Sequence, residues 1–529
     1  NPTGWLDQNS AFASGDYFQT TMLDGNLVLA SADSGYRYSH YNGDGALGWQ
    51  NYEFSGRLRF GRNDDGIALT FYSQVPAGEN RYYQLLRYSN WSHFQLMAHG
   101  TNIGDGVMSV NVNAQPNVWY RFRIRVYTTA DRIRFVAKIW RDGDPEPSVW
   151  QIDAFDAYTT RIGAGTVGVW AMGSGAPAVD DLRVQRLAPP PPAGFALGLY
   201  DVQPADFSLL QGTALRRVQQ YDSVQSESDA LAYLQAAGAA GLDVWQNLPS
   251  AYLGYAESFW TARIDALIPE TALQGWYLPE EPSPTARAAM ERLHALIRLR
   301  DPLNRPAGTY FADLLTLNLW CDVLDTLFIG AYPEYTAQPR ASMLARLEIA
   351  QEMCPGVPVI GVPMLFDTAF DGTGDYPTSH EARADAYTAL IAGAQGLQWF
   401  SFHYGKNLPD LWQAVQSIAS ELDTLQPVLA APDEGLPIAA QILTGPPQSP
   451  PASGRVYDSI QWIQRTYQSD LYLIAVNVAT GTVTVRFDGV PPASGQADVL
   501  FENRSLSVTG GSFSDTFAEA DVHVYRIHP

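Results

Sequence analysis

Two carboxylates stand side by side in the segment Gly275-Trp-Tyr-Leu-Pro-Glu-Glu-Pro282. Neighbouring acids can divide their protonation, because desolvation and a like charge raise the pKa of one while the other stays ionised. Glu281 is the expected general acid. Trp276, Tyr277 and Trp245 are expected to line its site, and Glu280 to add the like charge. Acid catalysis of this kind needs a second, ionised carboxylate that attacks carbon or activates water. Glu334 is the first choice, ahead of Asp367, Asp201 and Asp222. The plain alternative is that Glu280-Glu281-Pro282 merely opens a helix, where acids suit the positive end of the dipole and proline suits the first turn.

These acids need a scaffold. From about 195 to 430, short apolar runs alternate with amphipathic helical stretches such as 284–300 and 379–393. Strands are expected at 195–200, 217–221, 243–246, 274–278, 308–311, 326–330, 358–363 and 398–402. Eight strands with intervening helices match a (β/α)8 barrel. A doubly wound open sheet would carry a glycine-rich phosphate turn after its first strand, and none follows Tyr200. Barrel active sites lie on the loops after the C-terminal strand ends. Those ends supply the expected substrate-binding residues. Asp201 follows the first strand, Asp222 the second, and Trp245, Gln246 and Asn247 the third. Tyr332 follows the sixth strand, Asp367 the seventh and His403 the eighth. Gln246, Tyr332 and His403 would orient hydroxyl groups. Each has a bland alternative: Asp367 shapes a turn, Glu334 is an exposed loop acid, and His403 is a structural histidine.

On either side the pattern changes. Residues 1–187 alternate apolar and polar with period two, as in 52–60, 119–126 and 132–140, with Gly, Asn and Asp between the runs. That is the signature of a sandwich or jelly roll. Residues 188–194 form a linker whose four prolines, Pro189 to Pro192, make a stiff spacer. The barrel then occupies 195–432, and 433–529 returns to alternation and reads as a smaller antiparallel sandwich. Cys321 and Cys354 precede successive barrel strands, which leaves a disulfide and two buried thiols both open.

The bulk numbers narrow the partners. The 529 residues carry a net charge of −22, with lysine only at 138 and 406. Nucleic acid and anionic membrane need clustered cations, so a neutral polymer fits better. Aromatic residues reach 12%, including 14 Trp and 28 Tyr, which suits both β-sheet cores and stacking platforms. There is no apolar run long enough to span a bilayer, no Gly-x-Ser-x-Gly elbow, and no His-rich ligand spacing among the eight histidines. The chain opens at Asn1-Pro2 directly into patterned sequence and is read as a mature or trimmed, extracellular form, expected to be a monomer.

The end of the fourth strand, Pro279-Glu-Glu-Pro282, resembles the Asn-Glu-Pro or Asp-Glu-Pro motif of retaining barrel glycosidases, the clan of β-galactosidases and many endoglycanases. The resemblance extends to 325–333, which ends in Tyr-Pro, and to 381–402. It implies that Glu281 is the general acid/base, that Glu280 stands where the clan has Asn or Asp, and that a poly- or oligosaccharide is the substrate, with no cofactor required. The sequence departs from the clan at strand seven, where Asp367 stands in place of the nucleophilic Glu. A glycan-binding protein with a degenerate barrel is therefore the competing reading, and a surface-layer component is a third. Residues 165–184 resemble the last strands of concanavalin-like lectin and glucanase sandwiches. That implies glycan binding and, in some members, structural calcium, for which Asp180 and Asp181 are the candidate ligands; a solvated strand end is the alternative.

Overall fold

A computed structural model of the chain describes residues 2–189, 194–221, 226–248, 250, 253–491 and 494–528. The expected positions Asp222 and Pro190 to Pro192 lie outside them. Two compact units divide the chain. One joins Asn1–Ala188 with Glu257–Asp265 and Glu291–Asn304; the other joins Pro189–Ala256, Ala266–Met290 and Arg305–Pro529.

In the first unit, period-two alternation produces two antiparallel sheets, one of seven strands and one of eight. The central strands of the seven-stranded sheet are Thr166–Met172, Gly66–Ser73 and Tyr82–Arg87; those of the other are Tyr52–Arg59, Tyr120–Thr128 and Ile133–Arg141. Alternate residues of both sheets, among them Phe54, Leu69, Phe71, Phe122, Ile124 and Phe135, fill one core. Asp180 and Asp181 do not fit a calcium site. The Arg57 guanidinium reaches them at 2.6 Å and 3.2 Å, answering their charge from within the protein.

In the second unit eight parallel strands close a barrel. They are β1 (Ala196–Leu199), β2 (Arg217–Val218), β3 (Asp243–Asn247), β4 (Leu273–Tyr277), β5 (Ala307–Phe311), β6 (Thr326–Gly330), β7 (Val359–Val362) and β8 (Gly396–Trp399). Residues pointing inward from these strands pack as one cluster that includes Tyr200, Trp245, Tyr277, Phe328 and Ile360. In chain order α1 (Glu227–Ala239), α2 (Glu257–Leu267), α3 (Arg287–Arg300), α4 (Ser342–Met353), α5 (Ser379–Ile391) and α6 (Pro409–Thr424) follow β2, β3, β4, β6, β7 and β8, with most of α2 and α3 belonging to the first unit. Their starts are written in the sequence. Ser226 accepts the Asp229 amide ahead of α1, and Thr378 with Glu381 forms a reciprocal capping box ahead of α5. Cys321 and Cys354 are joined in a disulfide, with Cα atoms 5.1 Å apart.

The chain ends in an eight-stranded antiparallel sheet running from Ala439–Thr444 to Ile460–Tyr467. It folds back over its own core, since Trp462 in the last strand of the order meets Phe487 in the second, ring centres 6.0 Å apart. This sheet is fastened to barrel helices. Arg455 pairs with Glu348 and Glu352 of α4, and the Tyr457 hydroxyl donates to Glu348. From α5, Arg383 donates to the Val522 carbonyl and pairs with Glu421 of α6.

Candidate functional site

Strand β4 ends at Tyr277, and Leu278-Pro279 carries the chain to the paired acids. The backbone then turns sharply. Glu281 adopts φ +45°, in the left-handed region that a residue with a Cβ seldom enters. Its amide donates to the Tyr310 carbonyl at 3.2 Å, and its carboxylate accepts the Ala312 amide at 3.1 Å. The turn sends the two side chains to different environments. Glu281 is exposed, whereas Glu280 is half-buried among tyrosines at the barrel mouth.

Glu280 accepts a hydrogen bond from Tyr277 and another, at 2.8 Å, from Tyr221. The Tyr277 hydroxyl is also 3.0 Å from that of Tyr200. Phe400 closes one side, packing edge-on against Tyr200 and Tyr221. Tyr332 and Tyr310 hydrogen-bond to each other nearby. Burial lifts the Glu280 carboxyl above its ordinary 4.5, and the Glu281 charge adds to the lift against the pull of the two tyrosine hydrogen bonds. The expectation that Glu281 is the desolvated acid is thus corrected: the aromatic surroundings belong to Glu280.

Other expected residues scatter. Trp245 is inside the barrel, packed edge-on to Phe328 at 5.0 Å, and at 2% exposure it offers no stacking face to a substrate. Gln246, the next residue along β3, is buried on the opposite face and donates to the Asn247 carbonyl. Asn247 does reach the mouth, where its amide lies 3.4 Å from the Tyr221 carbonyl. Tyr332 joins the tyrosine group. Asp201, at φ +59°, accepts from Gln203 at 3.2 Å. His403 is exposed on the short helix Phe402–Gly405, its ring edge-on to Tyr404.

Two of the proposed partner acids have other duties. Glu334 is bound to Arg340 at 3.0 Å, in a group that also holds Asp385 of α5. Asp367, 1% exposed, accepts side-chain hydrogen bonds from the amides of Ala369, Gly372 and Gly374. Those bonds hold its carboxyl below the usual range, against burial. It shapes its loop, as the turn alternative had it. Sequence reasoning passed over Tyr200, Tyr310 and Phe400. Their signal was position, since each stands at or just past the end of a barrel strand, in phase with its inward-facing residues.

This geometry permits a specific division of labour. Glu280 can hold a proton in an aromatic surround, and Glu281 can act on solvent beside it. Among the described residues no group of three or more His, Cys, Asp or Glu could hold a metal ion.

No family model and no curated protein sequence matches the chain. Solved structures do resemble it. An α-amylase from Geobacillus thermoleovorans, solved with acarbose, is 10% identical over 62% of this chain and 91% of its own, with a TM-score of 0.41. A β-galactosidase from Bacillus circulans is 9% identical over 63% of this chain and 98% of its own, at 0.43. The carbohydrate-binding module CBM66 from Bacillus subtilis is 12% identical over 35% of this chain and 97% of its own, at 0.24.

Proposed function

We propose that the barrel is a glycoside hydrolase acting on a neutral poly- or oligosaccharide, with Glu280 as the proton donor and Glu281 as its ionised partner. One observation carries the reading: two adjacent carboxyl groups at the end of β4, of which the one held by Tyr221 and Tyr277 is pushed toward its protonated form. An acid poised above the ordinary carboxylate range can protonate a glycosidic oxygen as its bond to the anomeric carbon breaks. Glu281 takes a proton from water as the water oxygen bonds to that carbon. Proton transfer to the leaving oxygen and from the nucleophile then balances without a cofactor. Tyr221, hydrogen-bonded to the donor and 39% exposed, stands where it can meet a sugar hydroxyl. A working place outside the cytosol accords with the Cys321–Cys354 disulfide.

The test is reducing-sugar release from a panel of neutral polysaccharides. Wild type is expected to release sugar and Glu280→Gln to lose at least a hundredfold in rate, within the range of general acid catalysis. Undiminished release by that variant ends the assignment. The second reading, a degenerate barrel that only binds glycans, draws on the engagement of Asp367 with its loop amides. It predicts binding with no release by wild type.

A further inference from the structure

Helix α4 directs one arginine at the strand ends beside the acids. The Arg346 guanidinium is half-buried, and its partners among the described residues are all backbone carbonyls. Its Nε donates to Gly330, at the end of β6, at 2.6 Å. Its Nη2 donates to Phe311 at 3.3 Å and to Ala312 at 2.5 Å, at the end of β5. Other arginines of this unit meet acids. Arg340 pairs with Glu334 and Asp385, Arg383 with Glu421, and Arg455 with Glu348 and Glu352. Among the described residues no carboxylate pairs with Arg346, so its charge falls on the carbonyls.

One of those carbonyls leads to Glu281. The Phe311 oxygen and the Ala312 N–H are the two ends of a single planar peptide group. That N–H donates to Oε1 of Glu281 at 3.1 Å, the one hydrogen bond the carboxylate accepts among the described residues. Arg346 thus grips the peptide at its oxygen, and the peptide grips Glu281 at its nitrogen. A charged donor makes the stronger kind of hydrogen bond, and it polarises the peptide so that the N–H donates more strongly in turn. The backbone of Glu281 needs the same support. It is held at φ +45°, and a glutamate persists there only where surrounding bonds over-determine it. Its amide is tied to the Tyr310 carbonyl, on the same strand end that Arg346 fixes.

We propose that Arg346 is a positioning residue: through the peptide joining Phe311 to Ala312 it holds the Glu281 carboxylate where it meets the attacking water. This rests on the reading of Glu281 as the ionised partner of Glu280. Arg346 touches no reacting atom and acts only through Glu281. A mere staple between β5 and β6 would behave differently, since its loss would slow the reaction equally with Glu281 present or absent.

The experiment measures kcat and KM of the full chain on a neutral polysaccharide that wild type cleaves, together with amide hydrogen exchange at Ala312. Arg346→Met is expected to lower kcat about a hundredfold, the scale of a misplaced reacting group, with KM changed by less than about threefold. Arg346→Lys keeps the charge without the planar fork and is expected to recover about tenfold of that loss. Introduced beside Glu281→Ala, Arg346→Met is expected to change the remaining rate by less than about threefold, because no carboxylate is left to position. The Ala312 amide is expected to exchange at least about tenfold faster in Arg346→Met, with the amides of β8 unchanged. Equal losses in both backgrounds make Arg346 a staple and overturn the proposal. So does a rate or an Ala312 exchange that Arg346→Met leaves unaltered. If Arg346→Met does not fold, Arg346→Lys decides by the same comparisons, with an expected loss of about tenfold. If wild type releases no sugar, the reading of the acids has failed, and the exchange still decides: faster at Ala312 supports the hold on Glu281, unchanged overturns it.

Discussion

The hydroxyl of Tyr221 donates to Oε2 of Glu280 at 2.8 Å, tying the loop after β2 to the acid after β4. That bond stabilises the charged carboxylate, and so opposes the burial that raises its pKa. Tyr221→Phe should therefore move the alkaline limb of the pH–rate profile upward, by about one unit for a bond worth 1.4 kcal/mol. A profile that stays in place would separate Tyr221 from the titrating acid.

Glu280→Gln should divide activity from stability. A carboxyl whose pKa is raised by folding contributes stability at pH values below its unfolded pKa, and that contribution is lost as pH rises through the folded value. Removing the charge removes the loss. At pH 8 the variant should melt at or above the temperature of wild type, and below the ordinary glutamate value of 4.5 any advantage should vanish. Thermal unfolding across that range checks the sign.

Arg340 holds Glu334 at 3.0 Å and Asp385 at 2.5 Å, and Asp385 is almost wholly buried. Burial pushes the Asp385 carboxyl up to about 7 even with this arginine beside it. Arg340→Met leaves both acids without their counter-charge and should cost about 3–5 kcal/mol. The cost should grow as pH rises above 7, where the wild-type aspartate is ionised and the variant must still pay to keep or lose its proton. Denaturant unfolding at pH 6 and pH 9 measures the difference.

Asp367→Asn tests whether that residue is a loop former. Its carboxylate answers three amides, and an amide oxygen in its place can serve them only in part. Stability should fall by about 1–3 kcal/mol while the rate at the optimum stays within about tenfold. A loss of a thousandfold or more in rate with stability intact would return Asp367 to the chemistry.

The disulfide closes a span of 33 residues, for which chain entropy gives a stabilisation of about 3–4 kcal/mol. Replacing both Cys321 and Cys354 with serine should lower the midpoint of thermal unfolding, and a reductant should do the same to wild type and nothing to the variant.

The barrel was legible because parallel strands buried on both faces read as short apolar runs between amphipathic helices. All eight strands lie where those runs predicted them, give or take a few residues. Trp245 shows the limit. Both it and Tyr277 point into the barrel and pack on Phe328, but Trp245 stands mid-strand while Tyr277 ends its strand and reaches Glu280. Neither spacing nor residue type separates a depth of one pleat. The order of the two acids was hidden for another reason. Their surroundings differ from the expected ones through the left-handed backbone at Glu281, and a glutamate in that conformation leaves no mark in composition. Asp367 likewise looked like any acid near a strand end, because amides converging from residues 369, 372 and 374 exist only once the loop has closed.

The fastening of the last sheet to α4 and α5 bears on how this architecture can evolve. Arg455 and Tyr457 meet acids that α4 would otherwise present to water, and the Val522 carbonyl accepts from Arg383, which Glu421 holds in place. A recombination event that swapped the trailing module for a foreign one would leave Glu348 and Glu352 of α4 without their arginine and Arg383 of α5 without its carbonyl. A replacement for the trailing segment would therefore have to bring an arginine, a phenol and a free carbonyl to the same places on those helices.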